Sequence, residues 1–230
     1  MPATQPAPQD NDAGAKVARI LLDIGAINFS PEDPFILTSG RASPVYIDCR
    51  RIISFPEARR TIIDLSIDAL TRDAGPGAYD AIAGGETAGI PFAAWIADRL
   101  TLPMLYVRKQ PKGFARMGQI EGVMEMDCRV LLVEDMATDG GSKLNFINAV
   151  RKAGGKIDRT FVVFYYDIFK QALERLGKEG VELTYLSTWW DVADEAERQG
   201  LWTPDALAQF RDYLADPDKW SAAHGGAETG

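Results

Sequence analysis

The chain predicts an α/β fold, a mainly parallel sheet flanked by helices on both faces, with a small hood of strands near the N-terminus. Three observations lead there. From residue 81 onward, short apolar runs of strand length alternate with segments of helical periodicity, the order that βαβ units produce. The runs are continuously apolar, as strands buried on both faces are. Two of them end in glycine-bearing turns that open helices, Gly84-Gly85 and Gly140-Gly141. With 230 residues, 46% of them hydrophobic, the chain can form one compact domain with a sizeable core.

The elements follow in order. Residues 1–15 hold three prolines with Gln and Asn and are expected to form a flexible lead-in. Val17, Ile20, Leu21 and Ile24 recur at helical spacing, a first amphipathic helix ending near Gly25. Phe35–Leu37, a Thr38-Ser39-Gly40 turn and Pro44–Cys49 read as extended segments, and with their flanks they make a hood, mainly residues 30–52. A helix from Pro56 carries Ile62, Ile63, Leu65, Ile67 and Leu70 and stops at Gly75-Pro76-Gly77. The alternation then runs through strand Ala81–Ala83, helix Ile90–Leu100 and strands Met104–Val107 and Val130–Val133. It continues with helix Lys143–Ala153, strand Thr160–Tyr166, helix Phe169–Leu176 and strand Val181–Leu186. Residues 109–127 are too long for an ordinary connection, which marks either a functional lid or disorder. Pro204–Leu214 is helical, and residues 216–230 are expected to be a second flexible tail after a single domain over 16–215.

Composition narrows the function. A net charge of −8 argues against nucleic acid as a partner, since that affinity needs clustered Lys and Arg. Cys49 and Cys128 are too few for a disulfide framework or a thiolate metal site, so reduced thiols in a cytoplasmic protein are expected. No apolar stretch approaches bilayer-spanning length, and Met1–Lys16 lacks a signal-peptide core, so no membrane partner is expected.

The chemistry concentrates in Val130-Leu131-Leu132-Val133-Glu134-Asp135-Met136-Ala137-Thr138-Asp139-Gly140-Gly141-Ser142-Lys143. An apolar strand delivers two adjacent acids and a small-residue turn to the start of a helix, capped near Thr138 or Ser142. Amides at a helix N-terminus lack partners and sit at the positive end of the helix dipole, so a phosphate can dock there. Glu134 and Asp135 would repel that phosphate but suit the vicinal hydroxyls of a ribose. A second glycine turn, Gly84-Gly85-Glu86-Thr87-Ala88-Gly89, opens another helix. Arg108, Lys109, Lys112 and Arg116 crowd into the long loop of an otherwise acidic chain. Cations closing over an anionic leaving group stabilise its charge and exclude water.

The acidic strand end resembles the phosphoribosyl-diphosphate (PRPP) motif of the type I phosphoribosyltransferases. Asp139 stands where many members carry a small uncharged residue. Arg108-Lys109-Gln110-Pro111-Lys112 with Ile120-Glu121-Gly122 is similar to the mobile loop, here 109–122, of the orotate phosphoribosyltransferases, although Phe114 occupies their histidine position and the chain's one histidine is His224. Phe35-Ile36-Leu37-Thr38-Ser39-Gly40-Arg41-Ala42-Ser43-Pro44-Val45-Tyr46 is similar to their N-terminal signature, with Thr38 in place of a common lysine. Ala88 sits where some members have a lysine.

The resemblance implies the type I phosphoribosyltransferase fold and transfer of the 5-phosphoribosyl group of PRPP to orotate, giving orotidine 5′-phosphate and pyrophosphate in de novo pyrimidine (UMP) synthesis. It implies catalytic roles for Arg108, Lys109, Lys112 and Asp135. PRPP contacts fall on Glu134, Asp135, Ala137 and Thr138, on Asp139, Gly140, Gly141 and Ser142, on Glu86 and Thr87, and on the loop cations. Orotate contacts fall on Ser39, Gly40, Tyr46, Ile47 and Thr138, with Lys170 or Arg41 open as the cation for its carboxylate. Mg²⁺ is implied as cofactor, held mainly by PRPP rather than by a protein metal site. A homodimer is implied in which the loop completes the neighbouring site. The rival readings are a phosphoribosyltransferase for another base and a PRPP-sensing regulator of the same fold.

Overall fold

The structure is a computed structural model and describes residues 11–37, 39–112, 118–138, 140–169 and 171–227. Its centre is a six-stranded sheet formed by β5 (Ala81–Gly85), β6 (Met104–Val107), β7 (Ile120–Glu121), β8 (Arg129–Ala137), β9 (Lys156–Tyr165) and β10 (Glu182–Thr188). The order across the sheet is β10-β9-β8-β5-β6-β7. Every pairing is parallel except β6 with β7, where Tyr106 faces Glu121. The apolar runs are buried on both faces as their composition requires. Leu131 and Val133 join one core, while Val130 and Leu132, one residue out of phase, join the other. Each fully buried large side chain contributes roughly 1.5–3 kcal/mol.

Helices α1 (Asn11–Asp23), α2 (Pro56–Ala74) and α3 (Gly89–Leu100) supply the first core, and α4 (Gly141–Ala153) and α5 (Gln171–Lys178) supply the second. Helix α1 begins at Asn11, inside the segment expected to be a flexible lead-in over residues 1–15. The reason is tertiary: Val17, Ala18 and Leu21 are fully buried, and Ser187 Oγ donates to the Gly14 carbonyl at 3.0 Å. Helix α6 (Trp189–Gln199), absent from the expected elements, is closed by a capping box between Thr188 and Asp191.

The hood is two short antiparallel pairs, β1 (Ile27–Phe29) with β4 (Val45–Ile47) and β2 (Phe35–Ile36) with β3 (Ala42–Ser43). Residues 216–230, expected to fray, instead begin with α8 (Pro217–Ala223) directly after α7 (Pro204–Ala215). Trp220 anchors α8: it is buried, packs edge-on against Tyr213 and stacks on His224 at 3.7 Å between centroids. Beyond it the chain straps the hood turn. Ala42 N–H donates to Ser221 Oγ, Ala227 N–H donates to the Gly40 carbonyl, and Arg41 Nε meets Asp218 Oδ1 at 2.9 Å.

The long connection after β6 is a hairpin arm rather than an open loop where it is described. Arg108 N–H donates to Gln119 O at 2.8 Å, and Lys112 N–H to Gly118 O at 2.6 Å. Phe114 and Arg116 lie outside the described residues, as do Thr38, Asp139 and Lys170.

Candidate active site

A cleft of ≈810 Å³ opens at the carboxyl ends of β5 and β8. In open parallel sheets this is where ligands bind. The segment after β5 brings Glu86, Thr87 and Ala88, and β8 with its following turn brings Glu134, Asp135, Met136 and Thr138. The start of α4 adds Lys143, Asn145 and Phe146, and the β6 arm adds Lys109. The N-cap of α4 is Gly140 at φ 77°, a position between the two expected capping residues Thr138 and Ser142. A residue with a Cβ resists that conformation. An N-terminus without a side-chain cap leaves its dipole for an anion.

The two adjacent acids have separate fates. Glu134 is only 8% exposed, and its Oε2 takes the Lys143 ammonium at 2.9 Å. Lys143 is 2% exposed and also donates to the Met136 carbonyl at 2.7 Å. The other oxygen of Glu134 presses on Gly85, where a Cβ would come within 2.6 Å of it. Both acids expected to face a ribose line the cleft. Glu134 sits in a buried ion pair in the cleft floor, and Asp135 is the more exposed of the two. Burial, and then the Glu134 charge, push the Asp135 carboxyl up to about 6, against the pull of Lys143 and of the Met136 amide that Oδ1 accepts at 2.9 Å.

Lys109 is clamped by its backbone. Glu86 Oε2 accepts its N–H at 2.7 Å, and Asn145 Nδ2 donates to its carbonyl at 3.1 Å. Asn145 carries no motif and was not among the candidate residues. Arg108 and Lys112 do not line the cleft; Arg108 Nη1 meets Glu121 Oε1 at 3.5 Å along the arm. Arg50, from a 3₁₀ turn over Cys49–Ser54, does line it.

Among the other candidates, Ala137 is buried in the second core and Ile47 in the first, at 1% and 3% exposure, so neither side chain is available to a ligand. Both sit on inward positions of their strands. Ser39 and Gly40 form the hood turn, in which Gly40 N–H donates to Leu37 O and Arg41 N–H reaches Ser39 Oγ. They lie off the cleft. Tyr46 is exposed on the hood, 5.8 Å from the Phe35 ring. Burial pushes the Tyr166 phenol well up. Arg41, one of the two cations left open for a carboxylate, pairs with Asp218 and lies over the Phe169 ring at 4.9 Å.

No family model matches the chain. Orotate phosphoribosyltransferase of Ruegeria sp. (strain TM1040) is 53% identical over 207 residues, 90% of this chain and 92% of the relative. The crystal structure of orotate phosphoribosyltransferase from Aeropyrum pernix superposes with a TM-score of 0.68 at 31% identity, covering 81% of this chain and 99% of that one. The Mycobacterium tuberculosis H37Rv orotate phosphoribosyltransferase in complex with PRPP gives 0.60 at 26% identity, covering 78% of this chain and 98% of that one. Identity of this extent over nearly the full length of both chains, on the shared parallel sheet, means that the chain belongs to the orotate phosphoribosyltransferase family and has the type I phosphoribosyltransferase fold.

Proposed function

We propose that the chain transfers the 5-phosphoribosyl group of PRPP to orotate, forming orotidine 5′-phosphate and pyrophosphate on the way to UMP. The observation that carries the reading is the cleft: a half-buried carboxylate, Asp135, beside a helix N-terminus that starts at a glycine and a clamped lysine, in a chain half identical to enzymes of that name. In the reaction the bond from C1′ to the diphosphate oxygen breaks, its electron pair leaving with pyrophosphate. The anionic ring nitrogen of orotate then supplies the pair for the new bond to C1′. The 5′-phosphate docks at the start of α4, the ribose hydroxyls face Asp135, and Lys109 meets the departing charge. Asp135 also opposes the positive charge that C1′ gains. Thr138, which lines the cleft, would lie near the base's carboxylate, and the base would reach out of the cleft toward the hood.

Asp135 and Glu86 are hard oxygen donors on the cleft wall, the donor type Mg²⁺ takes, while most of its shell would come from the diphosphate and ribose oxygens. Bound there, the ion would neutralise charge on the leaving group. A homodimer is part of the proposal: Arg108 and Lys112 lie away from the cleft of their own chain, where the cleft of a second copy would receive them. No helix among the described residues is long and apolar enough to cross a membrane, and the free cysteines Cys49 and Cys128 suit a reducing compartment such as the cytoplasm.

Orotate depletion followed by absorbance tests the reading. Wild type consumes orotate only with PRPP and Mg²⁺ present, and Lys112→Ala keeps its fold by circular dichroism while turnover falls roughly 10²-fold, as when one donor to a transition-state anion is removed. Consumption of another base with orotate untouched, or PRPP binding without turnover, would replace the proposed substrate or activity. Unchanged turnover in the variant would remove Lys112 from the mechanism.

A further inference from the structure

We propose that Arg50 is the cation that meets the diphosphate of the sugar donor, supplying the charge that position 88 lacks; the assignment rests on the phosphoribosyl transfer proposed above. The local fold aims it there. In a 3₁₀ turn residues three apart share a face, and Cys49 and Ile52, both fully buried, occupy the inner one. Arg50 and Ile53, the next pair in the same register, line the cleft.

The charge inventory leaves it a role. Glu86, Glu134 and Asp135 line the cleft together with Arg50, Lys109 and Lys143. Lys143 is consumed by Glu134 beneath the floor, so among the described lining residues the cations open to an entering diphosphate are Lys109 and Arg50. Arg50 is 58% exposed and preorganised, because Asp48 Oδ1 accepts its Nε at 2.8 Å and its backbone N–H at 3.2 Å. No described acceptor takes its two terminal nitrogens, which form the planar fork that binds phosphate oxygens in pairs.

Ala88 lies on the same cleft and precedes α3 in helical conformation, φ −70° and ψ −29°. A long cationic side chain fits there without backbone strain. The two positions therefore offer alternative sources of one positive charge, and this chain uses Arg50.

Charge transplantation tests the assignment. Michaelis constants for PRPP and for orotate, with calorimetric affinity for pyrophosphate and Mg²⁺, are measured for wild type, Arg50→Ala and Arg50→Ala/Ala88→Lys. The single variant weakens PRPP and pyrophosphate by roughly tenfold to a hundredfold, the range for one hydrogen-bonding partner of a charged group, while the orotate constant stays within about twofold. The double variant recovers most of the loss, which a merely structural role for Arg50 does not allow. An unchanged PRPP constant in Arg50→Ala, an equal weakening of both substrates, or no recovery in the double variant would overturn the assignment while the wild type still turned over. A wild type that neither binds pyrophosphate nor consumes orotate would instead overturn the transfer reading, and the assignment with it.

Discussion

Replacing Lys143 with methionine lowers the stability of this chain by about 3–5 kcal/mol, although methionine nearly matches the lysine in volume. The ammonium holds Glu134 Oε2 at 2.9 Å and the Met136 carbonyl at 2.7 Å, with only 2% of Lys143 exposed. Removing it leaves a carboxylate at 8% exposure without its cation and strips a backbone carbonyl of its donor. Lys143→Met/Glu134→Gln takes the buried charge away as well and recovers part of the loss, so the two changes couple by more than about 1 kcal/mol instead of adding. Urea unfolding of the four members of the cycle reads both quantities. A Lys143→Met protein within about 1 kcal/mol of wild type would mean that water reaches Glu134 and that the pair does not brace the cleft floor.

That ion pair marks the boundary of what the sequence makes legible. The five runs that became β5, β6, β8, β9 and β10 could be read because a strand buried on both faces has no polar alternation to confuse it. The acids at 134 and 135 stand out as neighbours, yet adjacency cannot say which one turns inward. The answer lies nine residues on, at a lysine whose burial follows from where α4 begins. Helix α6 did carry a signal, with Thr188 and Asp191 at capping-box spacing and apolar residues at 189, 192, 193 and 196. Helix α8 carried little, because a seven-residue helix held by Trp220 gains its order from Tyr213 and the hood. Arg50 and Asn145 sit in no motif. Only the packing that carries Cys49 and Ile52 inward, and the clamp on Lys109, give them a place at the cleft.

Asp135→Asn makes the protein more stable and the reaction slower. Folding raises this carboxyl from 3.8 to about 6, so between those pH values the folded chain holds a proton that the unfolded chain has released. Stability contributed by that proton is present below pH 4 and lost as pH rises toward 6, and above 6 the folded state carries the full cost of an ionised Asp135. A shift of this size corresponds to about 3 kcal/mol at most. Asparagine stays neutral and keeps an oxygen for the Met136 amide. It therefore gains about 1–3 kcal/mol at pH 7.5, a melting temperature higher by several degrees, and the gain all but disappears at pH 3.5, where the carboxyl is mostly protonated in both states. The proposed transfer needs the charge that folding penalises, so turnover in the variant falls roughly 10²-fold. In wild type kcat/KM for PRPP declines as pH drops through about 6. Thermal melts at the two pH values and a pH-rate profile decide the matter: a variant less stable than wild type at pH 7.5, or one that keeps its turnover, would show that the Asp135 carboxylate is structural and not held ionised for the ribosyl group.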